Sequence, residues 1–110
     1  MITIEESYDL FFTTLSRLDN QNLSLSDEDL EYEIFEELDS EYHSFLHEWT
    51  VDRLIEANRI PSSLRERILK LRQMIYGIMD SKNTVLQYRN DPEWESVRKE
   101  GNAVLDLIKG

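Results

Sequence analysis

A chain of 110 residues is long enough for one domain with one core, burying roughly two-thirds of its unfolded surface without a metal or a disulfide. Three Gly and two Pro leave little material for a turn-rich β fold, and the lack of Cys excludes disulfides, zinc–thiolate sites and a cysteine nucleophile. The formal net charge of -11 is unevenly placed: residues 1–56 hold 16 acids and 2 bases, whereas residues 57–110 hold 7 acids and 10 bases.

The first residues, Met-Ile-Thr-Ile-Glu-Glu, have neither the basic nor the apolar region of a signal peptide. No apolar run approaches the roughly 20 residues of a membrane span. The expectation is a soluble cytoplasmic protein with a polarised surface, which bears on partners rather than on fold.

Residues 5–19 read as a first helix, with Tyr8, Phe11, Phe12, Leu15 and Leu18 on one face and Glu5 and Glu6 at the positive end of its dipole. Asp19-Asn20-Gln21-Asn22 ends it, and Leu23 and Leu25 in the linker pack inward. Ser26 is an N-cap, with Asp29 at the position of a capping box. From Asp27 to Glu41, nine of fifteen residues are acidic and none is basic. Leu30, Ile34, Phe35, Leu38, Tyr42, Phe45, Leu46 and Trp49 nevertheless recur at helical spacing, so one side of this stretch is packed while the other carries a dense negative field. One helix to Trp49 fits the series. A break or kink near Asp39, with a second helix running to Asn58, is favoured because Val51, Leu54 and Ile55 need it.

Asn58-Arg-Ile-Pro61 is a stop. Ser63 to Glu66 reads as a capping box opening a helix from Leu64 to Asp80. Its apolar residues, from Leu64 to Met79, cover more than half the circumference and predict the central, most buried helix. Asn83 to Tyr88 reads as a short helix with Val85, Leu86 and Tyr88 inward. Asp91 caps the last helix with Pro92 at its first position, and Trp94, Val97, Gly101, Val104, Leu105 and Ile108 share a face. Gly101 fits either a close helix approach or simple tolerance of glycine. No segment alternates with period two. The predicted architecture is all-α: one compact domain over residues 1–110, a bundle of five or six antiparallel helices.

The acidic stretch is the feature that speaks of function. On a helix its acids form seven like-charge pairs at i,i+3 or i,i+4, a cost on the order of 1.5–3.5 kcal/mol. A docking surface for a basic partner, with Tyr32 as aromatic anchor, explains that cost; a merely solvated face is the plainer alternative. Asp27-x-Asp29 opens like an EF-hand loop, but Tyr32 and Leu38 stand where that loop needs glycine and a bidentate glutamate. His43 and His47, four apart with Asp39 a turn earlier, have zinc-like spacing but lack a third distant ligand and are not an HExxH motif. The basic residues Arg53, Arg59, Arg65, Arg67, Lys70 and Arg72 read as the exposed side of two helices; the net charge argues against their binding phosphates. No phosphate loop, nucleophile elbow or Glu-x-x-His pair occurs.

At Glu41-Tyr-His-Ser-Phe-Leu-His-Glu-Trp-Thr50, Arg59-Ile-Pro61 and Tyr88-Arg-Asn-Asp-Pro-Glu-Trp94, the chain resembles small helical immunity proteins. These are paired with bacterial contact-dependent growth-inhibition toxins. The likeness spans residues 30 to 108 and carries no residue role. It implies a protein that stays in the producing cell's cytoplasm and binds one toxin domain. Such toxins are often basic nucleases, blocked at the active site or at the RNA-binding surface.

Charge and resemblance together predict a non-enzymatic monomer that forms a 1:1 heterodimer with a cognate toxin domain, a basic nuclease. The expected contacts are Asp29, Tyr32, Glu33, Glu36, Asp39 and His43. No cofactor, metal site, catalytic set, direct nucleic-acid binding or membrane contact is expected. The alternatives are an acidic adaptor or DNA mimic acting on a different basic protein, and a metal-dependent enzyme using His43 and His47.

Overall fold

The computed structural model describes residues 2–110, which form an all-α bundle that is 80% helical and has no strands among them. Helix α1 (Ile4–Ser16) is followed by a 3-10 turn (Asn20–Ser24). Helix α2 (Asp27–Glu31) passes without interruption into a π-helical segment (Tyr32–Leu38) and then into α3 (Asp39–Phe45). Next come α4 (Glu48–Glu56), a second 3-10 turn (Ser62–Leu64), α5 (Arg65–Ile78), α6 (Val85–Asn90) and α7 (Pro92–Lys109).

The rod formed by α2, the π segment and α3 has a simple cause. Its fully buried residues are Leu30, Ile34, Leu38, Tyr42 and Leu46, one every fourth position. An α-helix has 3.6 residues per turn, so such a series drifts by about 40° per step and roughly 160° over four steps. The wider π turn removes that drift. There the Asp39 N–H reaches the Ile34 carbonyl, five residues back. The irregularity thus holds one apolar edge against the core, with neither Pro nor Gly in the segment.

The helix does not break near Asp39, where the π segment passes into α3; the chain turns at Leu46 and His47. Two side chains satisfy the backbone groups freed at that corner. His47 Nδ1 accepts from the Trp49 N–H at 3.1 Å and caps α4, and Thr50 Oγ1 donates to the Ser44 carbonyl at 2.7 Å. Helix α4 then ends in a Schellman turn. Asn58 takes the left-handed conformation at φ 60°, the Asn58 N–H donates to the Ile55 carbonyl and the Arg59 N–H to the Leu54 carbonyl.

Other helix starts follow the sequence. Thr3 and Glu6 make a reciprocal capping box on α1, as do Thr84 and Gln87 on α6. Ser26 Oγ accepts from the Asp29 N–H at 3.2 Å. The box read at Ser63 and Glu66 does not form. Ser62–Leu64 wind as a 3-10 turn, α5 begins at Arg65, and its N-cap is Leu64, which has no side-chain acceptor to offer.

The core joins Phe11, Leu15 and Leu18 to the rod's apolar edge, to Ile68, Leu71 and Ile75 of α5, and to Val97, Val104 and Leu105 of α7. Trp94 is fully buried against Tyr88 and Phe35, and its indole N–H donates to the Lys82 carbonyl at 2.8 Å. Arg98 is also buried. It donates to the Tyr88 and Arg89 carbonyls at the negative end of α6 and lies over the Tyr88 ring, so helix carbonyls rather than a carboxylate hold its charge. Helix α5 is not wrapped on all sides: Lys70, Gln73, Tyr76 and Gly77 are exposed. Leu86, expected inward, points to solvent because Tyr88 takes the core-facing position of α6.

Gly101 is explained by close approach. A Cβ there would stand 2.8 Å from Leu18 Cδ1, whereas one at Gly77 would meet nothing within 4 Å. Gly101→Ala should therefore lower stability by about 1–3 kcal/mol, through overpacking. Gly77→Ala should raise it by about 0.5–1 kcal/mol, because the change removes backbone freedom at no steric cost. Chemical unfolding of the two variants tests this, and equal effects would contradict the packing assigned to Gly101.

Asp91 gives a pH prediction. Lys82 Nζ, at 2.8 Å, holds its carboxyl below the ordinary carboxylate range, with help from the Glu93 N–H. The folded state therefore binds this proton more weakly than the unfolded chain does. The stabilisation is complete above the ordinary range and is lost as pH falls through the depressed value. Asp91→Ala should destabilise the protein at neutral pH and flatten the acid limb of its thermal-stability profile; an unchanged limb would count against the assignment.

Candidate partner-binding surface

The acidic rod has two faces, and the same four-residue repeat separates them. Glu33, Glu37 and Glu41 lie one turn apart on the side facing α1, where all three meet Arg17. Its Nη1 donates to Glu33 at 2.8 Å, its Nη2 to Glu37 at 3.5 Å, and its Nε and Nη2 to Glu41, each at 3.2 Å. A guanidinium offers five N–H donors in a fixed fork, which suits such a cluster. The Arg17 side chain is only 19% exposed, and the carboxylates raise its pKa despite the opposing effect of burial. Arg17 also follows the last turn of α1, where a cation is favoured by the helix dipole. At the start of the rod, Asp27 pairs with Arg89 at 3.1 Å, and Arg89 also donates to the Leu23 and Leu25 carbonyls.

Four of the nine acids are thus tied to cations. The other five, Glu28, Asp29, Glu31, Glu36 and Asp39, have no ion-pair partner among the described residues. All but Asp39, which is half-buried, are exposed. Tyr32 stands among them, 51% exposed, and the nearby Glu37 carboxylate pushes its phenol pKa up. The ridge is rigid because its opposite side is the core edge of the rod.

The predicted contacts therefore separate. Asp29, Tyr32, Glu36 and Asp39 belong to the ridge. Glu33 does not: it is turned toward α1 and paired with Arg17. His43 sits beyond the ridge in α3, exposed, with its ring on Tyr42 at 4.0 Å and edge-on to Tyr76 at 6.2 Å. Its backbone carbonyl accepts from Arg72. His47 lies past the end of α3 in extended backbone, so the two histidines do not share the helical face that zinc-like spacing requires. No cluster of three or more His, Asp or Glu placed to hold a metal occurs among the described residues.

Two exposed aromatics are not signalled by the sequence pattern. Trp49 continues the apolar series at helical spacing yet is 67% exposed, because the corner at His47 turns it outward. Tyr76, on the open face of α5, is 68% exposed. Nothing in the periodicity of α5 signalled Tyr76, since its neighbour Ile75 carries the apolar position.

The basic run resolves into internal pairing. Arg59 binds Glu5; Arg65 binds Glu48, Asp52 and Glu66; Arg67 binds Glu100; Arg53 binds Ser7 and the Ile2 carbonyl. With Arg72 on His43, Lys70 is the member of this run without a polar partner among the described residues. No helix among those residues is long and apolar enough to cross a membrane. Comparison with family models, with curated proteins and with solved structures finds no match for this chain.

Arg17→Met should strand three neighbouring carboxylates and cost about 1–3 kcal/mol, between the values for an exposed and a buried pair. Replacing Glu33, Glu37 and Glu41 with Gln in the same chain should restore most of that. Urea unfolding at low salt measures both. A variant as stable as the parent would show that the cluster does not hold the rod.

Proposed function

We propose that this protein is a non-catalytic binding module that docks a basic protein along the ridge of Glu28, Asp29, Glu31, Tyr32, Glu36 and Asp39. The observation that carries the reading is the division of charge on the rod. Pairing with Arg17 and Arg89 accounts for four acids, while the other five stand on the outward side of the rod with no ion-pair partner among the described residues. Like charges so placed cost stability, and they gain a favourable interaction only when a cation arrives from outside.

The partner that fits best is the basic nuclease domain of a contact-dependent growth-inhibition toxin, with this chain as its immunity protein in a 1:1 complex in the cytoplasm. The sequence resemblance supports that choice, and so does charge. A nuclease presents positive charge to its phosphodiester substrate, and a line of carboxylates can occupy that surface in the substrate's place. Long-range attraction raises the association rate about 10–1000-fold and weakens with salt.

The test is binding to the nuclease domain encoded beside this gene, with rates measured at several salt concentrations. Glu31→Lys, Glu36→Lys and Asp39→Lys together should leave the fold intact, slow association at least tenfold and abolish protection. Full protection by the folded triple variant would remove the ridge from the interface. A housekeeping protein as the tight partner, with no binding to the neighbouring domain, would favour an acidic adaptor or DNA mimic.

A further inference from the structure

Helices α5 and α7 leave a trough between them. Two hollows of about 350 and 540 Å³ share Met74 and Ser96, so they run together along both helices. Met74, Ile78, Val97 and Ala103 supply its apolar lining. Gly77 lines the first hollow, and Lys70 and Lys99 line the second.

Two features of the trough have no cause inside the molecule. The first is Gly77, which is exposed within α5. A Cβ there would meet nothing within 4 Å, and no glycine among the described residues has a positive φ, so neither packing nor a turn calls for it. Glycine weakens a helix, and what it offers in return is close approach from outside. The second feature is charge. Both acids of the trough are paired, Glu93 with Lys82 and Glu100 with Arg67, each at 2.8 Å. Lys70 and Lys99 are exposed and have no polar partner among the described residues. On a chain of net charge -11, the uncompensated charge of this trough is therefore positive. It selects an acidic helix that also brings an apolar or aromatic group.

The rod of this same chain is such a helix. Glu28, Tyr32, Glu36 and Ser40 form its exposed row, opposite the buried Leu30, Ile34 and Leu38, with Asp39 beside the row. The lengths also match. Tyr32 and Asp39 are as far apart in sequence as Gly77 and Lys70, about 10 Å along either helix. With the rod antiparallel to α5, the Tyr32 ring falls over Gly77 while Glu36 and Asp39 come to Lys70 and Lys99.

From this match we propose that the α5–α7 trough receives the ridge of a second copy of this chain. Two different surfaces meet, so the contact is heterologous and builds head-to-tail chains. It is a weak contact, because copies of charge -11 repel each other at long range. Salt screens that repulsion beyond about 8 Å at physiological ionic strength, whereas pairs in contact are screened less. Association is therefore strongest at intermediate salt. The contact covers the ridge proposed above to bind a basic partner, so that partner and the second copy exclude each other. Nothing in the match depends on who the basic partner is.

The experiment is sedimentation of the purified whole chain from micromolar concentration to about 1 mM, the weak end of specific affinity, over a range of salt. The average mass of wild type should rise with concentration, most steeply at intermediate salt. Lys70→Ala with Lys99→Ala should stay monomeric, as should the ridge triple variant. Mixed in equal amounts, these two should form a 1:1 complex and nothing larger, because only one trough and one acidic ridge remain between them. Gly77→Gln should stay monomeric while unfolding no earlier than wild type, since the added side chain meets nothing in its own fold. A single monomeric mass for wild type at every concentration and salt overturns the proposal. So does association that survives the double lysine change or Gly77→Gln. No nuclease domain enters this experiment, so a monomeric wild type leaves the ridge reading standing, and failure to bind that domain leaves the trough untouched.

Discussion

The repeat of four along residues 30–46 is the constraint on which the molecule depends. A straight α-helix cannot keep such a series on one side, so the rod widens into a π turn between Tyr32 and Leu38. That turn has two consequences. Leu30, Ile34, Leu38, Tyr42 and Leu46 stay in the core, and Glu33, Glu37 and Glu41, on the same repeat, stay in line for one arginine. Core packing and charge compensation therefore share one helical geometry.

This geometry changes what the acidity means. The like-charge repulsion of the stretch looked like a cost that the fold did not require. For Asp27, Glu33, Glu37 and Glu41 it is partly offset, because Arg17 and Arg89, two positive charges against four negative ones, lie against them and fasten the rod to α1 and α6. The remaining carboxylates, Glu28, Asp29, Glu31, Glu36 and Asp39, have no ion-pair partner among the described residues and sit on the outward side of an element anchored by its core edge.

The corner at Leu46 and His47 matters as much as the rod. Had the helix continued to Trp49, that residue would have extended the apolar edge. The His47 ring caps α4 instead, Thr50 holds the end of α3, and Trp49 swings out to solvent. The same logic of local closure appears at α7, where the absence of a Cβ at Gly101 lets Leu18 approach.

Several features were legible from the chain alone because their causes are local. The all-α class, the caps at Ser26 and Asp91, the stop at Asn58 and the apolar edge of the rod depend on neighbours a few residues away. The negative field was legible as well, since nine acids in fifteen residues need no structure to be counted. Tertiary contact decided the rest. Arg17 finds Glu41 across 24 residues and Arg89 finds Asp27 across 62, and no spacing rule reaches that far. Those two arginines separate the carboxylates that hold the fold together from those that face outward. A side chain's charge is written in the sequence, but whether that charge is satisfied depends on what folding brings beside it.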